Sequence, residues 1–205
     1  MADVSHSGHT SHIANPNIGS LGVDSRKLGV WAFIGSETLF FASLITTYLV
    51  LAPVNAARAD FQDPKQFLDI ELTTLLAAIL LASSLTMVLA LAAVRRGDMR
   101  LFRVWLMSTI GLGFCFLGGQ VYEFQHLYHE GVTLSSSLFG TTFFVLTGFH
   151  GTHVLIGAIW LLAVFLKVRK YPDSPENVLD VELGGLYWHF VDLVWVAIFT
   201  LIYLI

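Results

Sequence analysis

The chain is poor in the residues on which soluble folds and metal centres depend. One of its 205 residues is cysteine, which excludes a disulfide framework, a four-thiolate zinc site and an iron–sulfur cluster held by this chain alone. Only 13% of the residues are charged, against roughly 25% in soluble domains. The formal net charge is −4, so there is no basic footprint for nucleic acid. No internal repeat and no separate soluble domain is visible. Apolar residues dominate instead: 55% are hydrophobic, with 16 Phe, 5 Trp and 6 Tyr, and mean hydropathy is +0.70. That balance fits lipid-facing helices with aromatic belts. The class is an integral membrane protein.

A bilayer core about 30 Å thick needs roughly 20 apolar residues in a helix. Five segments qualify, at about residues 28–51, 70–94, 104–124, 138–166 and 185–205. The chain reads as an all-α bundle of five transmembrane helices over residues 28–205, preceded by a polar tail at 1–27 rich in Ser, Gly, Asn and His. The first span is too long for a signal-peptide core and contains Glu37, so a retained helix is expected, with no cleaved targeting segment. The two longest loops, 52–69 and 167–184, hold Pro53, Pro64, Pro172 and Pro175 and read as connectors. Ala78, Ala82, Thr86 and Ala90 recur every four residues on the second helix and predict a close-packed face. Cys115 lies in an apolar span and reads as plain packing.

Lys and Arg set the expected orientation. Arg26 and Lys27 precede the first helix, Arg95, Arg96, Arg100 and Arg103 surround the second loop, and Lys167, Arg169 and Lys170 follow the fourth helix. Nine of the 11 basic residues therefore share one side, leaving Arg58 and Lys65 on the other. This predicts a cytoplasmic N-terminus and an external C-terminus.

Ionisable groups inside a span are costly and mark function or a buried pair. Glu37 lies about 14 Å from the inner end of helix one at about 1.5 Å per residue, and nothing on its own helix can pair with it. It must be neutralised or find a partner on another helix. His150 and His153 share one face of helix four, and His153 is the closer to Glu37 in depth; His189 is too near the inner end. His189 and Asp192, three residues apart, predict an ion pair within helix five. Glu123, His126, His129 and Glu130 close helix three and read as a hydrogen-bonded helix end, with a metal site as the sharper alternative. His6, His9 and His12 could chelate a metal weakly, but a polar tail is the plainer reading. The intramembrane histidines are only His150, His153 and His189, two of them within one turn, which suits no haem site. No catalytic residue, metal site or cofactor is expected in this chain.

Four segments then carry a family resemblance. Trp31-Ala32-Phe33-Ile34-Gly35-Ser36-Glu37-Thr38-Leu39-Phe40-Phe41-Ala42 resembles the acidic helix of subunit III of the haem–copper terminal oxidases. Gly119-Gln120-Val121-Tyr122-Glu123-Phe124, Phe149-His150-Gly151-Thr152-His153-Val154 and Tyr187-Trp188-His189-Phe190-Val191-Asp192-Leu193-Val194-Trp195 are similar to three further segments of that family, in the family's order.

The resemblance implies an accessory subunit of a bacterial inner-membrane oxidase that packs against catalytic subunit I, with subunits II and IV as further partners. Haem and copper are then expected in the partner subunits, and bound phospholipid in this one. It implies support of proton uptake during oxygen reduction, and Glu37, Glu123, His126, His150, His153, His189 and Asp192 match the family's proton- or lipid-handling or structural polar positions. Long members have seven helices and a lipid-filled cleft. With five helices, as in short bacterial forms, another subunit would supply the far wall of any such cleft. The expected donor is cytochrome c. A quinol oxidase, a nitric-oxide-reductase-associated homologue, or a small transporter or channel built around Glu37 and the histidines are the alternatives.

Overall fold

The computed structural model describes residues 24–57, 69–134 and 137–204, and the tail histidines His6, His9 and His12 lie outside them. Five helices follow one another: α1 (Ser25–Ala56), α2 (Ile70–Arg95), α3 (Met99–His129), α4 (Leu138–Lys170) and α5 (Asn177–Phe199), the last running into a π turn at Thr200–Leu204. Each is long and apolar enough to cross a membrane, counting the π turn with α5. Asp24, Asp69, Asp98 and Ser137 cap α1 to α4, each accepting a first-turn backbone N–H at 2.9–3.1 Å. Gly97, at φ +75, makes the short turn between α2 and α3, a conformation a side chain would strain.

The helices outrun their apolar cores. α3 spans Met99–His129 instead of 104–124, and α5 begins at Asn177 instead of 185. Hydropathy registers only the turns immersed in hydrocarbon, whereas the helix continues through the headgroup layer. Pro53, expected in a connector, lies inside α1. Its missing N–H removes one bond near the helix end, and a further turn forms beyond it, closed by Ala57 N–H donating to the Pro53 carbonyl at 3.1 Å.

The expected small-residue face of α2 is also revised. Ala78 and Ala82 are exposed, Thr86 is half-buried and only Ala90 is buried. A four-residue step advances about 40° beyond a full turn, so such a stripe winds from the outer side of the helix to the inner. The packed face is Thr73, Leu76, Leu80, Ser83, Met87, Ala90 and Val94. Cys115 faces outward from the bundle.

The interior is organised around Trp188 of α5, which is 1% exposed. A Cβ placed on Gly113 of α3 would lie 2.5 Å from the indole, and one on Gly157 of α4 would lie 3.1 Å away. Indole Nε1–H donates to Ser83 Oγ on α2 at 2.9 Å. Four helices thus meet at one side chain. α1 is the outlier. It packs chiefly against α4 and α5, and within its most apolar window 6% of the residues are buried, against 33% to 56% in the other helices.

One end of the bundle is held by charge. The first turns of α5 and the residue before it carry Glu176, Asp180 and Glu182. Arg26 of α1 reaches Asp180 at 3.4 Å and Glu176 at 3.5 Å, and Lys27 pairs with Glu182. Arg95 of α2 reaches Glu182 at 3.3 Å, and Lys167 of α4 reaches Asp180 at 2.5 Å and Glu176 at 3.3 Å. The network gathers the ends of α1, α2, α4 and α5 that carry most of the basic residues. Exposed pairs contribute about 0–1 kcal/mol each, so Glu182→Gln should lower the thermal midpoint modestly. The difference from wild type should shrink in high salt, because salt screens such pairs. A large salt-independent loss in a melting series would contradict this reading of the clasp.

Candidate functional site

Between this clasp and the opposite end, the polar side chains of the spans form separate clusters. Glu37 on α1 and His153 on α4 meet across the α1–α4 interface, with Glu37 Oε2 3.1 Å from His153 Nε2. His150 does not take part. The side chains of the pair are 20% and 13% exposed, respectively. Phe40 and Phe41 lie against the His153 ring, with centroids at 6.3 and 4.9 Å.

The imidazole geometry fixes a proton count. His153 Nδ1 lies 2.7 Å from the Phe149 carbonyl, which can only accept, so Nδ1 carries a hydrogen. Nε2 then meets Glu37 in one of two ways. Either it donates to a carboxylate, or it accepts from a carboxylic acid. In both cases one proton lies between two electronegative atoms and the pair is neutral as a unit. A neutral unit satisfies the constraint that low-dielectric surroundings place on Glu37. Tyr187 OH donates to the His153 carbonyl at 3.4 Å and adds a contact from α5.

The second cluster joins α2 and α5. Instead of a direct pair between His189 and Asp192, Ser84 stands between them. Its Oγ–H donates to Asp192 Oδ2 at 2.7 Å, and His189 Nδ1 donates to the same Oγ at 3.2 Å. Three residues on one helix bring the two side chains to one face, but the serine on α2 has the reach to bond both.

The third cluster is buried near the other end. Glu123 is 2% exposed, and its Oε1 accepts from Tyr203 OH at 2.8 Å and from Thr73 Oγ1 at 2.9 Å. It joins α2, α3 and the π turn. His126, expected beside it, is exposed, as are His129 and Glu130. Among the described residues no group of three or more His, Cys, Asp or Glu side chains could hold a metal ion.

His150 lies fully buried in the core, stacked on Trp195 at 5.0 Å between centroids and edge-on to Phe116 at 5.9 Å. It serves as an aromatic element of the interior. Sequence reading missed Ser83, Ser84, Thr73 and Tyr203 as partners. The adjacent serines within an apolar helix were the available signal.

Comparison with known proteins identifies the family. Residues 11–205 match the family described as Cytochrome c oxidase subunit III. The chain is similar to the "Cytochrome c oxidase subunit 3" of Bacillus subtilis (strain 168), with 39% identity over 194 residues, covering 93% of this chain and 91% of the relative. The "Quinol oxidase subunit 3" of the same strain is 38% identical over 177 residues, covering 86% and 85%. The "Cytochrome c oxidase subunit 3" of Alkalihalophilus pseudofirmus is 36% identical over 194 residues, covering 93% and 92%. Relatives named for either electron donor stand at comparable identity, so what the sequence specifies is the family and not the donor. With five membrane-spanning helices and this match along nearly its whole length, the chain belongs to the cytochrome c oxidase subunit III family, a multi-pass membrane subunit of bacterial haem–copper terminal oxidases.

Proposed function

We propose that this chain is the non-redox accessory subunit of its oxidase, packed against catalytic subunit I and neighbouring subunits II and IV. Its N-terminus lies in the cytoplasm, phospholipid is held at its surface, and the haem and copper belong to the partners. Its work is to sustain proton uptake and the integrity of the catalytic subunit during oxygen reduction. Cytochrome c is the donor we favour for the complex.

The observation that carries this reading is the contact of Glu37 Oε2 with His153 Nε2 at 3.1 Å, an acidic and a basic group together within the membrane, the acid on the least buried helix. Glu123, His126, His189 and Asp192 are assigned structural roles, holding helices together or ending them.

The test is co-purification followed by metal analysis. The chain should isolate in detergent with haem-bearing subunits and, once separated, carry neither haem nor copper. Stoichiometric haem or copper on the separated chain, or a stable haem-free homo-oligomer as its native form, would overturn the proposal.

A further inference from the structure

The core of the bundle holds a set of polar atoms that no described residue satisfies. Gln120 of α3, His150 of α4 and Trp195 of α5 are 4%, 0% and 1% exposed. Among the described residues, neither amide atom of Gln120, neither ring nitrogen of His150, nor the indole nitrogen of Trp195 has a hydrogen-bond partner. Buried polar atoms are nearly always paired, because an unpaired one has given up its bond to water for nothing.

The three side chains occupy one layer. The His150 ring stacks on the Trp195 indole with centroids 5.0 Å apart, and Phe116 stands edge-on to them at 5.9 and 4.8 Å, respectively. Gln120 follows Phe116 by four residues, on the same face of α3. Its amide lies against α4 at Gly151, the residue after His150, where a Cβ would be 3.4 Å from Gln120 Oε1. Five unpartnered atoms from three helices thus gather beside one aromatic stack.

Their chemistry narrows what can satisfy them. Trp195 can only donate, the Gln120 amide both donates and accepts, and His150 has at least one N–H. A metal ion would face the indole N–H. An anion would find no cation, because Lys and Arg are absent from 104–166 and from 171–205. A small, uncharged ligand that both donates and accepts is water, which commonly fills this role in protein interiors.

We propose that Gln120, His150 and Trp195 form a binding site for internal water. At least one molecule bonds the Gln120 amide, a ring nitrogen of His150 and the indole N–H of Trp195, and so ties α3, α4 and α5 together inside the membrane. The site is separate from the Glu37–His153 contact and does not depend on which subunits the chain meets.

Trp188 supplies an internal control. It is equally buried, at 1% exposed, but its N–H already donates to Ser83 Oγ. The test uses the purified complex in bilayers, with isotope-labelled tryptophan, and follows magnetisation transferred from water by solid-state NMR. Transfer should reach the Trp195 indole N–H several times faster than that of Trp188. The resonance lost in Trp195→Phe assigns the signal. Gln120→Met, close in volume but without the amide, should slow the transfer to Trp195 several-fold. A high-resolution density map of the wild-type complex needs no variant, and should show solvent bonded to both Gln120 and His150.

Equally slow transfer to both indoles in wild type would overturn the site, as would fast transfer to Trp195 that Gln120→Met leaves unchanged. So would a map in which the Gln120 amide bonds His150 directly, with no solvent between them. If Gln120→Met fails to assemble, the wild-type comparison and the map decide.

Discussion

Replacing Glu37 by alanine is expected to loosen α1 and deplete this subunit from the purified oxidase, whereas Glu37→Gln should be retained near the wild-type amount. α1 has little buried surface of its own, so its attachment depends on few contacts. They include the charge clasp at one end, Phe41, which is 2% exposed, Phe40 against Phe149, and the Glu37–His153 unit. Alanine leaves His153 Nε2 facing a void, and an unsatisfied buried polar group costs about 1–3 kcal/mol. Glutamine keeps a donor, and its amide N–H can bond a bare Nε2 while Nδ1–H stays on the Phe149 carbonyl. The amide cannot carry the shared proton. Infrared difference spectra of wild type against Glu37→Gln should therefore contain a carboxyl or carboxylate band, with imidazole bands that change alongside it. Equal retention of the alanine and glutamine variants would contradict the structural part of this account. A Glu37 that titrates with no accompanying change at His153 would contradict the shared proton.

A side chain at Gly113 should have a larger effect on folding. Even a Cβ there would stand 2.5 Å from the six-membered ring of Trp188, which is held between Gly113, Gly157 and Ser83. Gly113→Leu must displace the indole, breaking its bond to Ser83 and separating α3 from α5. Overpacking a close-packed core costs about 1–3 kcal/mol, and the lost indole bond adds about 1 kcal/mol more. The expected outcome is a lower melting temperature and weaker assembly, with Gly113→Ala falling between. Gly111, with nothing within 4 Å of its Cβ position, is the matched control, and Gly111→Leu should be tolerated. Similar melting curves for the Gly113 and Gly111 variants would show that the Trp188 slot does not organise the interior.

The number and order of the helices were legible because each carries an apolar run long enough to cross a bilayer. Their ends were not, because the polar turns of α3 and α5 are held by helix bonding and by ion pairs to other helices, which a hydropathy window does not register. The partner of Glu37 was legible from depth. A fixed rise of about 1.5 Å per residue ranks candidate histidines once the helix directions are known. Ser84 was not legible. Hydroxyls in membrane helices commonly bond their own backbone, as Ser36, Thr38, Ser43, Thr46 and Thr47 all do on α1. Only packing of α2 against α5 identifies Ser84 as a residue that bonds across helices. The acidic clasp was missed for a related reason. Counting Lys and Arg orients a chain, but it says nothing of which carboxylates fold back onto them.

The accessory role is tested most directly by following oxygen consumption through many turnovers in the complex with and without this chain, at neutral and at raised pH. The account predicts that the depleted complex reduces oxygen at first and then loses activity progressively, sooner at raised pH, where proton supply to the catalytic subunit is weakest. Immediate and complete loss, with the remaining subunits intact and metallated, would contradict it, as would activity that outlasts many turnovers as well without the chain as with it.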